Sequence, residues 1–465
     1  MTSCVRVKKR NVHYPDQLEI IPLAKPPDAT VRVPGSKSIT NRALVLAALS
    51  NRARQRRGCR LTGILHSEDT QIMIEALRAL GFSVEVKGDS ATICRPTWDR
   101  LIPATKADLF VGNSGTTMRF LTAMVSLGKG SYRLDGVPRM RERPIQDLLG
   151  ALGQLGVRAY SENENGCPPV VVDADGLRGG RVRIRGDTSS QFLSGLLMAA
   201  PVASGDISIE LEGPLVSEPY ARMTVIMANT FGAKIAKAAN GCYCVTANQG
   251  LGGRSTYAIE PDASAASYFM TAPAICGGGI TIDGLTADDF HLQGDVRFAD
   301  VLKAMGMRVA GSHSGSSGDT IQGNNEVIHS QRPFLRVESA PLHGIDVDMN
   351  DISDTVMTLA AVACFAEGPT TIRNVAHIRH KETDRIAALA NELRKVGVEV
   401  EEYPDGLKIT PRPLQGAVIE TYNDHRMAMS MALIGLKVPG IIIKNPGCVA
   451  KTYPGFWQDL EKLRT

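Results

Sequence analysis

Six times along the chain, a short loop of small polar residues runs straight into a helix-length stretch that is apolar on nearly every face. The loops are PGSKS (34–38), GNSGT (112–116), GDTSS (186–190), PDASA (261–265), NDISD (350–354) and YNDHR (422–426). The stretches that follow include NRALVLAAL, FLSGLLMAAPVA and TVMTLAAVACFA. A helix with no polar face has to be buried all round, so these six are predicted to lie inside the fold. Each is followed by a glycine or proline turn and a strand-like run such as ISIELEG or IIIKNP. A second helix in each unit is amphipathic instead. In the first unit, Ile72, Met73, Leu77 and Leu80 share one face, with Glu75 and Arg78 off it.

The repeat is about 75 residues long, which divides the chain into six units. Single cores stop growing near roughly 250–300 residues, so two lobes of three units are expected rather than one of six. The midpoint falls near GLGGR (250–254), where a hinge is expected. Two stretches break the period. The arginine-rich 51–60 reads as a solvated loop, and the Ser-, Gly- and Asn-rich 311–331 reads as a surface insertion.

Composition narrows the classes. With 43% hydrophobic and 22% charged residues, the chain is an ordinary globular protein. A net charge of +4 gives no reason to expect nucleic-acid binding. No apolar stretch approaches the roughly 18 residues of a membrane span, and the first residues contain no secretion-type apolar run. The nine cysteines include no CxxC, which argues against a structural zinc or a disulfide framework. A cytoplasmic enzyme is the expectation, with no metal and no membrane partner.

The loops carry the candidate chemistry. Lys37 and Ser38 with Arg42, Gly115 in its Ser/Thr loop, and Ser189, Ser190 and Gln191 all sit where a helix N-terminus presents free N–H groups to an anion. Neither a Walker loop nor GxGxxG is present, so nucleotide binding has no motif support. The segment 138–144, PRMRERP, places three arginines in five positions. HKETDR (380–385) is expected to open a helix with Lys381 and Arg385 four apart on one face. Like charges at that spacing repel, and a bound polyanion would reverse the penalty. Arg426 enters an apolar helix, and Lys451 stands in a similar setting. Of Asp351 and Asp354, one is expected to cap a buried helix and the other to be free to act as a base. A carboxylate among cations stays ionised, and the same applies to Glu382.

PGSKSITNRA, GNSGTTMRF, PRMRERP, SSQFLSGLLMAAP, SEPYARMT, KETDRIAALANELRKVG, YNDHRMAM and KTYPGF occur in the order found in one family, from residue 34 to 456. On these motifs the chain resembles the 5-enolpyruvylshikimate-3-phosphate (EPSP) synthase family. The resemblance implies an α/β (α+β) fold, a two-lobed inside-out α/β barrel with three repeats per lobe, buried helices and outer sheets; lobe I would comprise 1–33 and 254–465, lobe II 34–253, with the active site in the cleft between them. It implies transfer of the enolpyruvyl group of phosphoenolpyruvate to the 5-hydroxyl of shikimate 3-phosphate, without a cofactor, by a monomeric enzyme of the shikimate pathway that glyphosate inhibits. Lys37, Ser38, Arg42, Ser189, Ser190, Gln191, Ser217, Tyr220, Asp354, His377 and Lys381 would hold shikimate 3-phosphate. Lys37, Gly115, Arg139, Gln191, Arg385, Arg426 and Lys451 would hold phosphoenolpyruvate. Asp354 would take the hydroxyl proton, Glu382 would protonate the methylene carbon, and Lys37 would assist.

Two residues depart from the family's pattern: His377 stands where Asn is common, and Phe120 where Pro is common. Two other readings compete. A sister enzyme acting on UDP-N-acetylglucosamine often uses a cysteine in the loop that here reads PRMRERP. A non-catalytic anion-binding protein would be suggested by loss of Asp354, Glu382 or Lys37, and all three are present.

Overall fold

The computed structural model describes residues 14–54, 58–96, 99–247, 251–286, 292–312 and 333–464. Positions 55–57 of the arginine-rich stretch and 313–331 of the insertion lie outside the described residues. The six apolar stretches form the helices Lys37–Leu49, Gly115–Val125, Ser190–Ala199, Ala263–Met270, Val356–Ala363 and His425–Gly435. Every residue of Gly115–Val125 and His425–Gly435 is buried, as is all of Lys37–Leu49 after its first two residues.

Among the described residues, six small sheets surround these helices. Their strands alternate: Gly180–Arg185 buries Val182 and Ile184 and exposes Arg181, Arg183 and Arg185. Helices are therefore inside and sheets outside, a mixed α/β arrangement in which each sheet needs only one apolar face.

One connection rule recurs. Lys106–Phe110 and Lys129–Asp135 run parallel, and the buried helix Gly115–Val125 makes the crossover that parallel strands require. Arg158–Ser161 and Val170–Asp175 then form an antiparallel hairpin that joins the free edge of Lys129–Asp135. Two sheets take their first strand from a distant part of the chain. Asp28–Val31 pairs with Gly279–Asp283, and Thr256–Ala258 pairs with Cys59–Thr62, both in parallel. The strand Gln17–Ile20 completes the last sheet against Ile441–Lys444.

Two apolar cores result. One runs from Ile39 to Ile259; the other joins Ile20, Val31 and Val33 to residues from Ala263 to Leu463. The chain passes between them at Pro34–Ser36 and again at Glu260–Asp262. These crossings lie side by side: Ser36 N–H donates to the Glu260 carbonyl and Asp262 N–H to the Pro34 carbonyl, both at 2.8 Å. Gly35 is required there, because a Cβ would run into the Gly63 carbonyl oxygen.

The expected boundary falls at 254. Thr256–Ala258 adds a strand to the core that precedes it, which carries the crossing several residues further on. The run expected as a hinge is itself tied down: Asn51 N–H donates to the Leu251 carbonyl (2.7 Å) and Gly253 N–H to the Phe231 carbonyl (2.9 Å). Among the described residues, no helix is long and apolar enough to cross a membrane.

Candidate active site

Three of the buried helices begin at one place. Ser36, Ser114 and Ser189 cap Lys37–Leu49, Gly115–Val125 and Ser190–Ala199, each through its side-chain oxygen. The first residues of these helices, Lys37, Gly115, Thr116 and Gln191, line a cavity together with Asp69 and Arg143. The opposite wall, from the other core, holds Asp354, Lys381, Glu382, Arg385 and Arg426. Ser38 lines an adjoining cavity with Lys37, Ser264, Tyr268 and Arg426.

Charge is concentrated and paired. Arg385, 1% exposed, meets three carboxylates: Asp424 (Nε, 2.8 Å), Asp354 (Nη1, 3.2 Å) and Glu382 (Nη2, 2.8 Å). Arg426 Nη2 donates to Asp354 at 2.6 Å. Lys451 Nζ lies 2.9 and 2.8 Å from the two oxygens of Asp69 and 3.1 Å from Glu382. Lys37 Nζ is 3.7 Å from Asp69, and Arg143 Nη1 is 3.9 Å from Glu382. With Lys381 added, six cations surround four carboxylates, leaving an excess of positive charge for an anionic ligand.

This crowding sets the ionisation states. Burial alone pushes Asp354 up, but Arg426, Lys381 and Arg385 outweigh it and hold the carboxyl well below the usual range. Glu382 is held down in the same way, by Lys451, Arg385 and Arg143 against the effect of burial. Burial pushes Lys37 down, with Lys451 and Arg426 adding to it and Asp69 opposing. Burial also brings Lys381 down to about 8. His377 is pushed down to about 3 by burial and Lys381, so its ring is neutral; Nε2 lies 2.9 Å from Ser353 Oγ and 3.2 Å from Ser217 Oγ.

Several expected residues face elsewhere. All three nitrogens of the Arg42 guanidinium are engaged by Thr224, Ser38, Ser194 and Tyr220, and the group stacks 5.0 Å from the Phe120 ring. Arg139 donates to the Lys381 and Arg379 carbonyls and to Glu142, not into the cavity. Ser189 Oγ accepts the Gln191 N–H at 3.2 Å, and Ser190 is buried. Tyr220 Oη reaches Asp295 at 3.0 Å and Asp354 at 3.4 Å across the two cores.

Two local expectations are corrected. The helix following KETD starts at Arg385, not before it, because Asp384 is its cap and accepts the Ala387 N–H at 3.1 Å. Lys381 therefore lies in the preceding loop. Neither Asp351 nor Asp354 caps Val356–Ala363: Asp351 pairs with Arg297 at 3.1 Å, and Asp354 is taken up by the two arginines.

Other site residues escaped the sequence reading. Arg143 is the third arginine of PRMRERP, and its alternation with Arg139 and Arg141 was the available signal; Arg141 instead pairs with Asp135. Asp69 looks like any acid in the first turn of a helix, here Glu68–Ala79. Asp295 gave no signal. Buried beside Asp354, it is pushed up to about 6, first by burial and then by that neighbour's charge.

A carboxyl raised above its unfolded value favours the native state only while protonated, so wild type loses stability as pH rises toward and through 6. Asp295→Asn is therefore expected to match wild type below pH 4 and to exceed it by up to about 3 kcal/mol above pH 7. Urea midpoints at the two pH values check this; equal gaps at both would refute it.

The comparisons with known proteins agree with one another. The family model described as EPSP synthase (3-phosphoshikimate 1-carboxyvinyltransferase) matches residues 24–460. A protein of Nostoc punctiforme named 3-phosphoshikimate 1-carboxyvinyltransferase is 46% identical over 442 residues, covering 95% of this chain and 98% of its own. One of the same name from Shewanella loihica is 42% identical over 452 residues, covering 96% of this chain and 99% of its own. A solved EPSP synthase structure from Acinetobacter baumannii superposes with a TM-score of 0.75 at 26% identity, covering 96% of this chain and 98% of that one.

Proposed function

The chain belongs to the EPSP synthase family, and from that premise we propose that its cavity transfers the enolpyruvyl group of phosphoenolpyruvate to the 5-hydroxyl of shikimate 3-phosphate, releasing phosphate. The observation that carries this reading is the placement of two ionised carboxylates, Asp354 and Glu382, on one buried guanidinium, Arg385, inside a ring of cations. Both substrates bear a phosphate and a carboxylate, and each charge-assisted hydrogen bond to such a group contributes roughly 1.5–3 kcal/mol.

In this mechanism Asp354 accepts the proton of the 5-hydroxyl as its oxygen attacks C2 of phosphoenolpyruvate. Glu382 protonates C3, giving a tetrahedral intermediate. Loss of a proton from C3 back to Glu382 then expels phosphate, which takes up the proton that Asp354 had accepted, so both carboxyl groups return to their starting states. The ion pairs explain how Glu382 becomes an acid. Bound phosphoenolpyruvate draws Lys451, Arg385 and Arg143 toward its own charges, and a carboxylate deprived of cations in a buried site gains proton affinity. Lys37 and Gln191 face both substrates; Lys381, Ser217, Tyr220 and neutral His377 serve shikimate 3-phosphate. Arg42 and Arg139 serve it and phosphoenolpyruvate respectively after exchanging their present partners. Closure of two lobes over the cavity, a cytoplasmic location, a monomeric state and glyphosate as a competitor of phosphoenolpyruvate belong to the same proposal.

Gly115 gives a sharp check on that last point. A Cβ there would stand 2.6 Å from Arg143 Nη2 and 3.0 Å from Arg119 Nη1. Gly115→Ala is expected to raise the KM for phosphoenolpyruvate and the Ki for glyphosate, each by about tenfold, a shift of roughly 1.4 kcal/mol. Unchanged inhibition would separate glyphosate from this wall.

The substrate assignment is tested by phosphate release from phosphoenolpyruvate with shikimate 3-phosphate or UDP-N-acetylglucosamine as acceptor. Release only with the former is expected; release only with the latter overturns the reading.

A further inference from the structure

Glu392 is a carboxylate that the mechanism does not use, yet it is fully buried, at 0% exposure. It lies on the helix Arg385–Lys395, seven residues and so two turns after Arg385, on the same face. That face holds the loop before the helix His425–Gly435 at both ends. At the near end, Glu392 Oε2 accepts the Glu420 N–H (2.9 Å) and Oε1 accepts the Tyr422 hydroxyl (2.8 Å). At the far end, Arg385 Nε donates to Asp424 (2.8 Å), which also accepts the Arg426 N–H (2.8 Å).

Between these two anchors the backbone is unfavourable. Tyr422 and Asn423 stand in succession at φ +53° and +54°, a left-handed pair without a glycine. Such a conformation persists only where surrounding contacts over-determine it. The Glu392 carboxylate supplies two of those contacts. Its remaining partner, Lys395 (Nζ at 2.8 and 2.7 Å), is partly in solvent and touches no part of the loop in these bonds.

We infer that Glu392 is a positioning residue for phosphoenolpyruvate: by clamping the strained loop it sets Asp424, and through Asp424 it aligns Arg385 and Arg426 on the cavity wall. The inference rests on the proposal that these two arginines hold phosphoenolpyruvate. Burial and the bond to Glu392 push the Tyr422 hydroxyl up to about 12, which keeps it a donor throughout the working pH range.

The test uses the full chain and compares Glu392→Ala, Glu392→Gln, Tyr422→Phe and Lys395→Ala. Wild-type phosphate release in the presence of shikimate 3-phosphate is the control for the functional reading itself. If wild type shows none, that reading fails and the variants do not enter the question. With wild type active, Glu392→Ala is expected to raise the KM for phosphoenolpyruvate about tenfold, leaving that for shikimate 3-phosphate within about twofold. Glu392→Gln, whose amide oxygen still accepts the Glu420 N–H, is expected to return close to wild type, and Lys395→Ala to equal it. If Glu392→Ala does not fold, Tyr422→Phe carries the same expectation at a smaller size. A lowered melting temperature with both KM values unchanged would overturn the inference, as would a Gln variant no better than Ala.

Discussion

Asp354→Asn is expected to lower kcat by about 10²–10⁴-fold, the range ascribed to a well-placed general base. The substitution keeps the shape and one acceptor oxygen of the side chain but abolishes its capacity to take a proton. In the native site the carboxylate faces Arg426 at 2.6 Å and Arg385 at 3.2 Å. These cations keep it ionised, so wild type needs no proton removed before it can act. Because Asp354 titrates below the usual carboxylate range, the acid limb of the wild-type pH profile above pH 5 must come from another group. Steady-state kinetics with both substrates saturating, alongside a melting curve to show that the variant is folded, make the measurement. A kcat within tenfold of wild type would remove Asp354 from the role of base.

Arg385→Ala is expected to have the largest effect on stability, a loss of about 3–5 kcal/mol, the usual cost of removing one partner from a buried ion pair. Three carboxylates depend on this guanidinium: Asp424 at 0% exposure, Glu382 at 8% and Asp354. Without it each is left with too little positive charge, and each gains proton affinity. The sign of the pH dependence follows. Carboxyls raised in the native state destabilise it when ionised, so the deficit is largest near neutral pH and shrinks as pH falls through their new values. Urea midpoints at pH 5 and pH 8 read this directly. A deficit under about 1 kcal/mol, the size of a surface pair, would contradict the burial of the network.

The repeat was legible because burial leaves a strong mark. A helix such as MAMSMALIGL has no face for water, and its position inside follows from that alone. Only half of the strand exchange was legible. The expected division put 1–33 with 254–465, where Asp28–Val31 finds its partner Gly279–Asp283, but Thr256–Ala258 is three residues long and nothing in TYA says that it pairs back with Cys59–Thr62. Pairing of this kind is decided by tertiary contacts.

Charged residues divided in the same way. Lys37 and Arg426 stood out because they interrupt apolar helices, where a cation requires a reason. Asp69 and Glu392 sit among polar neighbours on amphipathic helices, where an acid is ordinary, and only the packing shows that they are buried. KETD was misassigned for a related reason. Glu, Lys and Arg all suit a helix, and the cap at Asp384 is recognised only when its side chain is seen on the Ala387 N–H. Arg42 and Arg139 show a further limit: a motif names a cation but not the partner it holds before a substrate arrives.

The central claim, that this ring of paired charges opens to join two anionic substrates, is tested most directly by following a stoichiometric mixture of phosphoenolpyruvate, shikimate 3-phosphate and the wild-type protein by phosphorus NMR. The account predicts that the phosphoenolpyruvate signal gives way to inorganic phosphate while the phosphate of shikimate 3-phosphate remains attached in a new ether-linked product. Persistence of both substrate signals in a folded protein, or conversion only when UDP-N-acetylglucosamine replaces shikimate 3-phosphate, would contradict it.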